Sequence, residues 1–256
     1  MERKRLRIII ATIAIALVIV LSSFLYLNLP GPLNGIKVAI YTDRGIRATS
    51  RIALVNMFSW MDADVTIINS TNIANGDLDL YDILVMPGGC WCDERCQLLD
   101  EKMELVRAYV ENGGVYFGID GGASYATSYR LNLFHGALRA DAFGTGDYLI
   151  EVMVNTNSSA PDLSTASSSY QLLYENSGYF DAEDMSGVIP ICTYANTELV
   201  CMLAFFYGNG HVFLSSPHPE YEEGTMRDGT DLWDDTMNDP DSEWDFMLSI
   251  VQWLLA

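Results

Sequence analysis

The chain has 256 residues, half of them hydrophobic, with 34 acidic against 14 basic side chains and a formal charge of −20. This length and apolar content support a real core in one or two domains, while the charge excludes nucleic acid as a partner and repels anionic membrane surfaces. The imbalance deepens past Pro30, where 10 basic residues face 33 acidic ones, a formal charge of −23, because Arg3, Lys4, Arg5 and Arg7 lie in the first seven positions.

Residues 8–29 form an uncharged run of 22 residues. At about 1.5 Å per residue it is long enough to cross a bilayer. The basic cluster ahead of it predicts a single-pass anchor with a cytoplasmic N-terminus and the remainder outside, with Tyr26 at the far interface. A cleaved signal peptide is the alternative. The run is longer than the usual apolar core of one, and no A-x-A site follows it. The lipid bilayer is therefore an expected partner of residues 1–30. Two prolines and two glycines between Leu29 and Gly35 make residues 31–35 a short linker, and residues 36–256 are expected to form one domain.

Strands are predicted at 36–42, 65–68, 82–86 and 115–119. Helices are predicted at 50–61, with Ser50 as its N-cap, and at 97–111, where Leu98, Leu99, Met103, Val106 and Val110 share one side. The run Asp82 to Met86 is almost continuously apolar, as in a strand buried on both faces of a parallel sheet. This order is the grammar of an α/β sheet with right-handed crossovers, whose ligands sit at the carboxyl ends of the strands. The second half is richer in strands, at 148–154, 170–174, 188–194, 199–207 and 211–216, with Gly208-Asn209-Gly210 as a hairpin turn. Trp244 to Leu255 closes the chain as an apolar helix.

Five cysteines (Cys90, Cys92, Cys96, Cys192 and Cys201) read as disulfides, permitted outside the cytoplasm, or as inert thiols, and the odd count leaves at least one unpaired or intermolecular. Cys192 and Cys201 flank a turn and are candidates to face each other across a hairpin. Cys90, Cys92 and Cys96 lack the paired C-x-x-C spacing of zinc sites, and no metal or cofactor is expected. Asn69 and Asn157 head N-x-S/T sequons. His135 and His211 lie in apolar context and read as structural. The ten carboxylates between Glu220 and Glu243 lack the spacing of a calcium loop and read as a solvated surface.

The chemistry concentrates in Gly113 to Ala126, which reads G-G-V-Y-F-G-I-D-G-G-A-S-Y-A. A short apolar strand turns at once into a small-residue helix, the shape of a nucleophile elbow. The residue it lifts above the sheet edge is Asp120. Pro87-Gly88-Gly89 follows the third strand, and His218-Pro219-Glu220 follows a late one.

Together these motifs resemble the class I glutamine amidotransferase-like superfamily, and more closely the biotin-protein ligase N-terminal domain family. The resemblance runs through the Tyr41 to Ser50 loop, Pro87 to Gly89, Gly113 to Ala123, Asn176 to Phe180, Tyr207 to Gly210 and His218 to Glu220. It covers roughly Ile36 to Ala256. It implies a flavodoxin-like α/β fold, a mostly parallel sheet sandwiched by helices, with the strand-rich second half added. By this resemblance Asp120 stands at the nucleophile position, His218 at the activating histidine and Glu220 at the carboxylate that orients it. Gly88, Gly89 and Gly121 fall at the oxyanion or ligand-binding donors, with Gly122 beside them. Biotin ligation is not implied, since no ligase domain is matched.

Asp120 departs from the family's cysteine. A carboxylate needs no base at neutral pH and is a poor acyl nucleophile, because its acyl product is an anhydride. Three readings follow. The domain is a pseudoenzyme that binds a small molecule or a protein at the cleft; or it is a hydrolase or amidase in which Asp120 acts with His218 and Glu220; or the nucleophile has moved, with Cys90 the candidate.

Overall fold

A computed structural model describes residues 15, 30–90, 102–128, 130–140, 142–158, 160–182, 185–222, 225–230, 237 and 241–256. The expected anchor, the start of the 97–111 helix, Cys92, Cys96 and much of the acidic loop lie outside the described residues. Among the described residues no helix is long and apolar enough to cross a membrane.

The first half alternates strands and helices. These are β1 (Lys37–Tyr41), α1 (Ala48–Trp60), β2 (Asp64–Ile68), a short α2 (Ser70–Ala74), β3 (Ile83–Met86), α3 (Met103–Glu111), β4 (Val115–Ile119) and a five-residue α4 (Gly121–Tyr125). The second half runs β5 (Ala137–Arg139), β6 (Asp147–Val154), β7 (Ser169–Glu175), β8 (Tyr179–Asp181), β9 (Ile189–Tyr194), β10 (Val200–Tyr207), β11 (Gly210–Ser215) and the closing α5 (Trp244–Leu254).

All strands join one sheet whose main path is β2-β1-β3-β4-β11-β10-β9-β6-β7, with β8 and β5 branching from β10. β2, β1, β3, β4 and β11 pair in parallel. Every pairing from β11 outward through β10, β9, β6 and β7 is antiparallel, as are those of β8 and β5. The sheet is thus mixed, where the resemblance led us to expect a mostly parallel one. Helical crossovers supply the long returns that parallel neighbours need, and only the first half has them. The tight turn at Gly208 and Asn209 leaves β11 antiparallel to β10. β11 itself is the hinge, parallel to β4 on its other edge.

Every residue of β3 and β4 is buried, because helices cover both faces. On one face Val38, Ile40, Val85 and Phe117 pack with Leu54, Met57 and Phe58 of α1 and Met247, Ile250 and Leu254 of α5. On the other, Ala39, Tyr41, Leu84 and Met86 pack with Val106 and Val110 of α3 and Ala123 and Tyr125 of α4. The strand alternation of period two separates these two sets.

Three local expectations are corrected. Helix α1 begins at Ala48 with Arg47 at the N-cap position, so Ser50 lies in its first turn and caps nothing. Cys192 and Cys201 are both buried and free. Met202 stands opposite Cys192, and a register shift beside it displaces Cys201 from that place. His135 is exposed, while His211 packs against Phe206 and Trp253.

Candidate active site

Both glycine-rich loops and the H-P-E segment meet at the carboxyl ends of β3, β4 and β11. Asp120 leaves β4 with φ 47° and ψ −110°, a left-handed conformation that costs a non-glycine residue about 1–3 kcal/mol. The turn is held by the Asp120 N–H donating to Ser215 O (2.8 Å) and by Ser124 N–H donating to Asp120 O (2.9 Å). Gly122 permits the close crossing of α4 over the sheet. A Cβ there would overlap the backbone of Met86. Tyr116 secures the crossing by donating its hydroxyl to Gly122 O at 2.7 Å.

The Asp120 carboxylate makes no capping bond to its own helix. Its Oδ2 instead accepts the Gly89 N–H at 3.0 Å. Gly88 and Gly89 are held flat under the early loop: Arg47 N–H donates to Gly88 O (2.9 Å), and any Cβ on Gly89 would overlap Gly45 and Arg47. Gly88 N–H donates to Ser50 Oγ at 2.9 Å. Of the three N–H groups expected to form an oxyanion hole, those of Gly88 and Gly89 are therefore engaged, one by a serine and one by Asp120 itself. Gly121 is the buried first residue of α4.

Behind this pair runs a buried polar chain. Ser50 Oγ donates to Glu220 Oε1 (2.6 Å), and the same oxygen lies 3.0 Å from His218 Nδ1. His218 and Glu220 are both completely buried. With Nδ1 directed at Glu220, His218 Nε2 faces Asp120 and Glu175, is buried, and has no hydrogen-bond partner. It stands 3.9 Å from Asp120 Oδ2 and 3.9 Å from Glu175 Oε2, beyond hydrogen-bond reach of either. Glu175 in turn is ion-paired with Arg47.

The structure thus brings together Asp120, His218, Glu220, Gly88 and Gly89, and adds Ser50, Arg47 and Glu175, which the motifs did not single out. Ser50 and Arg47 lie within the Tyr41 to Ser50 stretch that carries part of the family resemblance. Glu175 directly precedes the Asn176 to Phe180 stretch. Nothing in their spacing marks them, since only tertiary contacts give them a role. Cys90 follows Gly89 in the chain and is disulfide-bonded, so a nucleophilic thiolate there would first require reduction.

Burial alone would lower the proton affinity of His218, but the charge and hydrogen bond of Glu220, and then the charge of Asp120, outweigh it. The net effect raises the pKa above the usual histidine value, with Arg47 opposing. A histidine so shifted stabilises the fold fully below its unfolded pKa of about 6.5, and that contribution is lost as pH rises through the higher folded value. Asp120→Asn removes one raising charge while keeping an acceptor for Gly89 N–H. His218 is then expected to lose its proton at lower pH, read from the imidazole Hε1 shift in an NMR titration. An unchanged midpoint would refute the coupling.

Comparison with known proteins places this geometry. Residues 36–145 match the family described as biotin-protein ligase, N terminal. No curated protein matches the chain. A glutamine amidotransferase from Thermotoga maritima superposes with a TM-score of 0.53 at 13% identity, over 76% of this chain and 80% of that one. A putative ThuA-like protein from Bacteroides uniformis gives 0.52 at 13% identity, over 77% and 88%. A β-galactosidase from Bacillus circulans gives 0.53 at 13% identity over 86% of this chain, which spans 30% of that larger protein. Identities this low establish a shared fold. The chain shares the fold of these proteins, and its residues 36–145, which hold Pro87 to Gly89 and Asp120, match the biotin-protein ligase N-terminal family.

Proposed function

We propose that this chain is a non-catalytic member of the amidotransferase-like group that binds a small ligand or a partner protein at the Asp120 cleft. The observation that carries the reading is the Asp120 carboxylate on Gly89 N–H. An oxyanion hole must offer its donor to the negative charge that develops during acyl transfer. Here a carboxylate of the chain already accepts that donor, and the group that holds it is a poor acyl nucleophile. The buried Ser50–Glu220–His218 chain then acts as a scaffold that keeps the elbow and the Pro-Gly-Gly loop in register.

The alternative is a hydrolase or amidase acting through Asp120, His218 and Glu220. It is favoured by one feature, the imidazole with Nδ1 held by Glu220 and Nε2 facing Asp120. The two readings separate on a panel of amide and ester substrates. The binding domain is expected to show no turnover above the baseline of Asp120→Ala and His218→Ala. Turnover that both substitutions abolish, in proteins that remain folded, would overturn it.

The reading places residues 1–30 as a membrane anchor and the domain outside the cytoplasm. Support comes from the uncharged run at 8–29 behind its basic cluster and from the Cys90 disulfide, which suits an oxidising compartment.

A further inference from the structure

The way the chain enters the domain constrains how the domain can stand on a membrane. Residues 31–36 are not a free tether. Leu33 is buried, and its N–H donates to Met61 O at 3.0 Å. Gly31 N–H donates to Asp62 Oδ2 at 2.8 Å, and Ile36 N–H donates back to Leu33 O at 3.0 Å. All of these contacts lie at the amino ends of β1 and β2, whose first residues, Lys37 and Asp64, are paired. Only Pro30 separates Leu29, the end of the uncharged run, from Gly31, and two residue steps reach at most about 7 Å.

The same end of the sheet carries exposed apolar side chains that the core does not use. Leu80, just before β3, is 60% exposed, and Phe206, opposite His211 at the amino end of β11, is 61% exposed. Between them opens a hollow of about 760 Å³ lined by Tyr81, Tyr109, Phe206 and Trp253 with Asp79 and Asp82. Among the described residues no lysine or arginine lines it. Its one histidine, His211, has its proton affinity lowered by burial. Aromatic rings suit the headgroup layer, and rings beside carboxylates attract ammonium groups. Asp120 lies at the opposite, carboxyl end of the strands.

We propose that the amino-end face of the sheet rests on the bilayer, its aromatic and acidic hollow against zwitterionic headgroups, so that the Asp120 cleft faces away from the membrane. This rests on the anchor reading above. The pinned linker holds the amino ends of β1 and β2 close to the end of the uncharged run, and the lining charge favours phosphatidylcholine over anionic lipid.

The test uses the full chain in phosphatidylcholine vesicles, with a photo-crosslinking amino acid at position 206, 80 or 124. Ser124 is exposed on α4, beside the cleft. Lipid adducts are expected at 206 and 80 and not at 124, and the 206 adduct is expected to fall in phosphatidylglycerol vesicles. Protein retained by vesicles after carbonate washing, but with adducts at 124 or none at 206, overturns the orientation and leaves the anchor standing. Undiminished adducts in phosphatidylglycerol overturn the headgroup preference. Protein released by the wash overturns the anchor and the orientation together.

Discussion

Glu220→Ala is expected to destabilise the domain by about 3–5 kcal/mol, the usual cost of removing one partner from a buried ion pair. Glu220 is fully buried and its Oε1 serves two neighbours, Ser50 Oγ and His218 Nδ1. Alanine leaves the imidazole without its compensating charge and the serine hydroxyl without its acceptor, in a place water does not reach. Glu220→Gln keeps the shape and one acceptor oxygen, so its loss should be the smaller of the two. The alanine penalty should also depend on pH. It is greatest where the wild-type histidine is cationic, and it shrinks as pH rises through the raised folded pKa of His218. Urea unfolding followed by circular dichroism at acidic and alkaline pH measures both effects. A penalty below about 1 kcal/mol at acidic pH would mean that the pair contributes no more than an exposed one.

Asp120→Cys is expected to produce a thiol that iodoacetamide alkylates at neutral pH about tenfold faster than an ordinary exposed cysteine, because a nearby imidazolium lowers a thiol pKa from about 8.5 toward neutrality. The elbow would carry Sγ toward His218 Nε2, which now has no hydrogen-bond partner. The substitution also frees Gly89 N–H from the carboxylate. The other described cysteines are poor competitors. Burial pushes the thiols of Cys192 and Cys201 well up, and Cys90 is disulfide-bonded. The added reactivity should vanish in the double variant that also carries His218→Ala. Peptide mass spectrometry reads the rate at position 120. Equal rates in the single and double variants would show that the histidine no longer addresses the elbow.

Both expectations follow from how the site was assembled, and only part of that assembly was legible in advance. Val115 to Ile119 followed by Asp120 and two glycines announces a strand turning into a helix, and the strained φ of Asp120 bears out that shape. The Asp120 carboxylate approaches His218 to 3.9 Å and forms no cap on α4, because it turns to Gly89 instead. Ser50, whose place at the head of a helix reads as a cap, is likewise drawn into the site, by Gly88 and Glu220. In each case a polar group compatible with a local hydrogen bond found a stronger partner distant in the chain.

The sequence by itself determined the strands of the parallel half, the position of the elbow, the Pro-Gly-Gly loop and the H-P-E segment, because these depend on local periodicity and on glycines that tight turns require. Its acidity and its uncharged 22-residue run were equally plain. Only the tertiary structure decided that the second half extends the sheet antiparallel, that Arg47 and Glu175 pair beside His218, and that Asp120 rests on Gly89 N–H. Those outcomes depend on which strand edges and buried polar groups meet across the chain, 31 positions apart for Gly89 and Asp120 and 170 for Ser50 and Glu220 behind them, and no local pattern encodes that meeting.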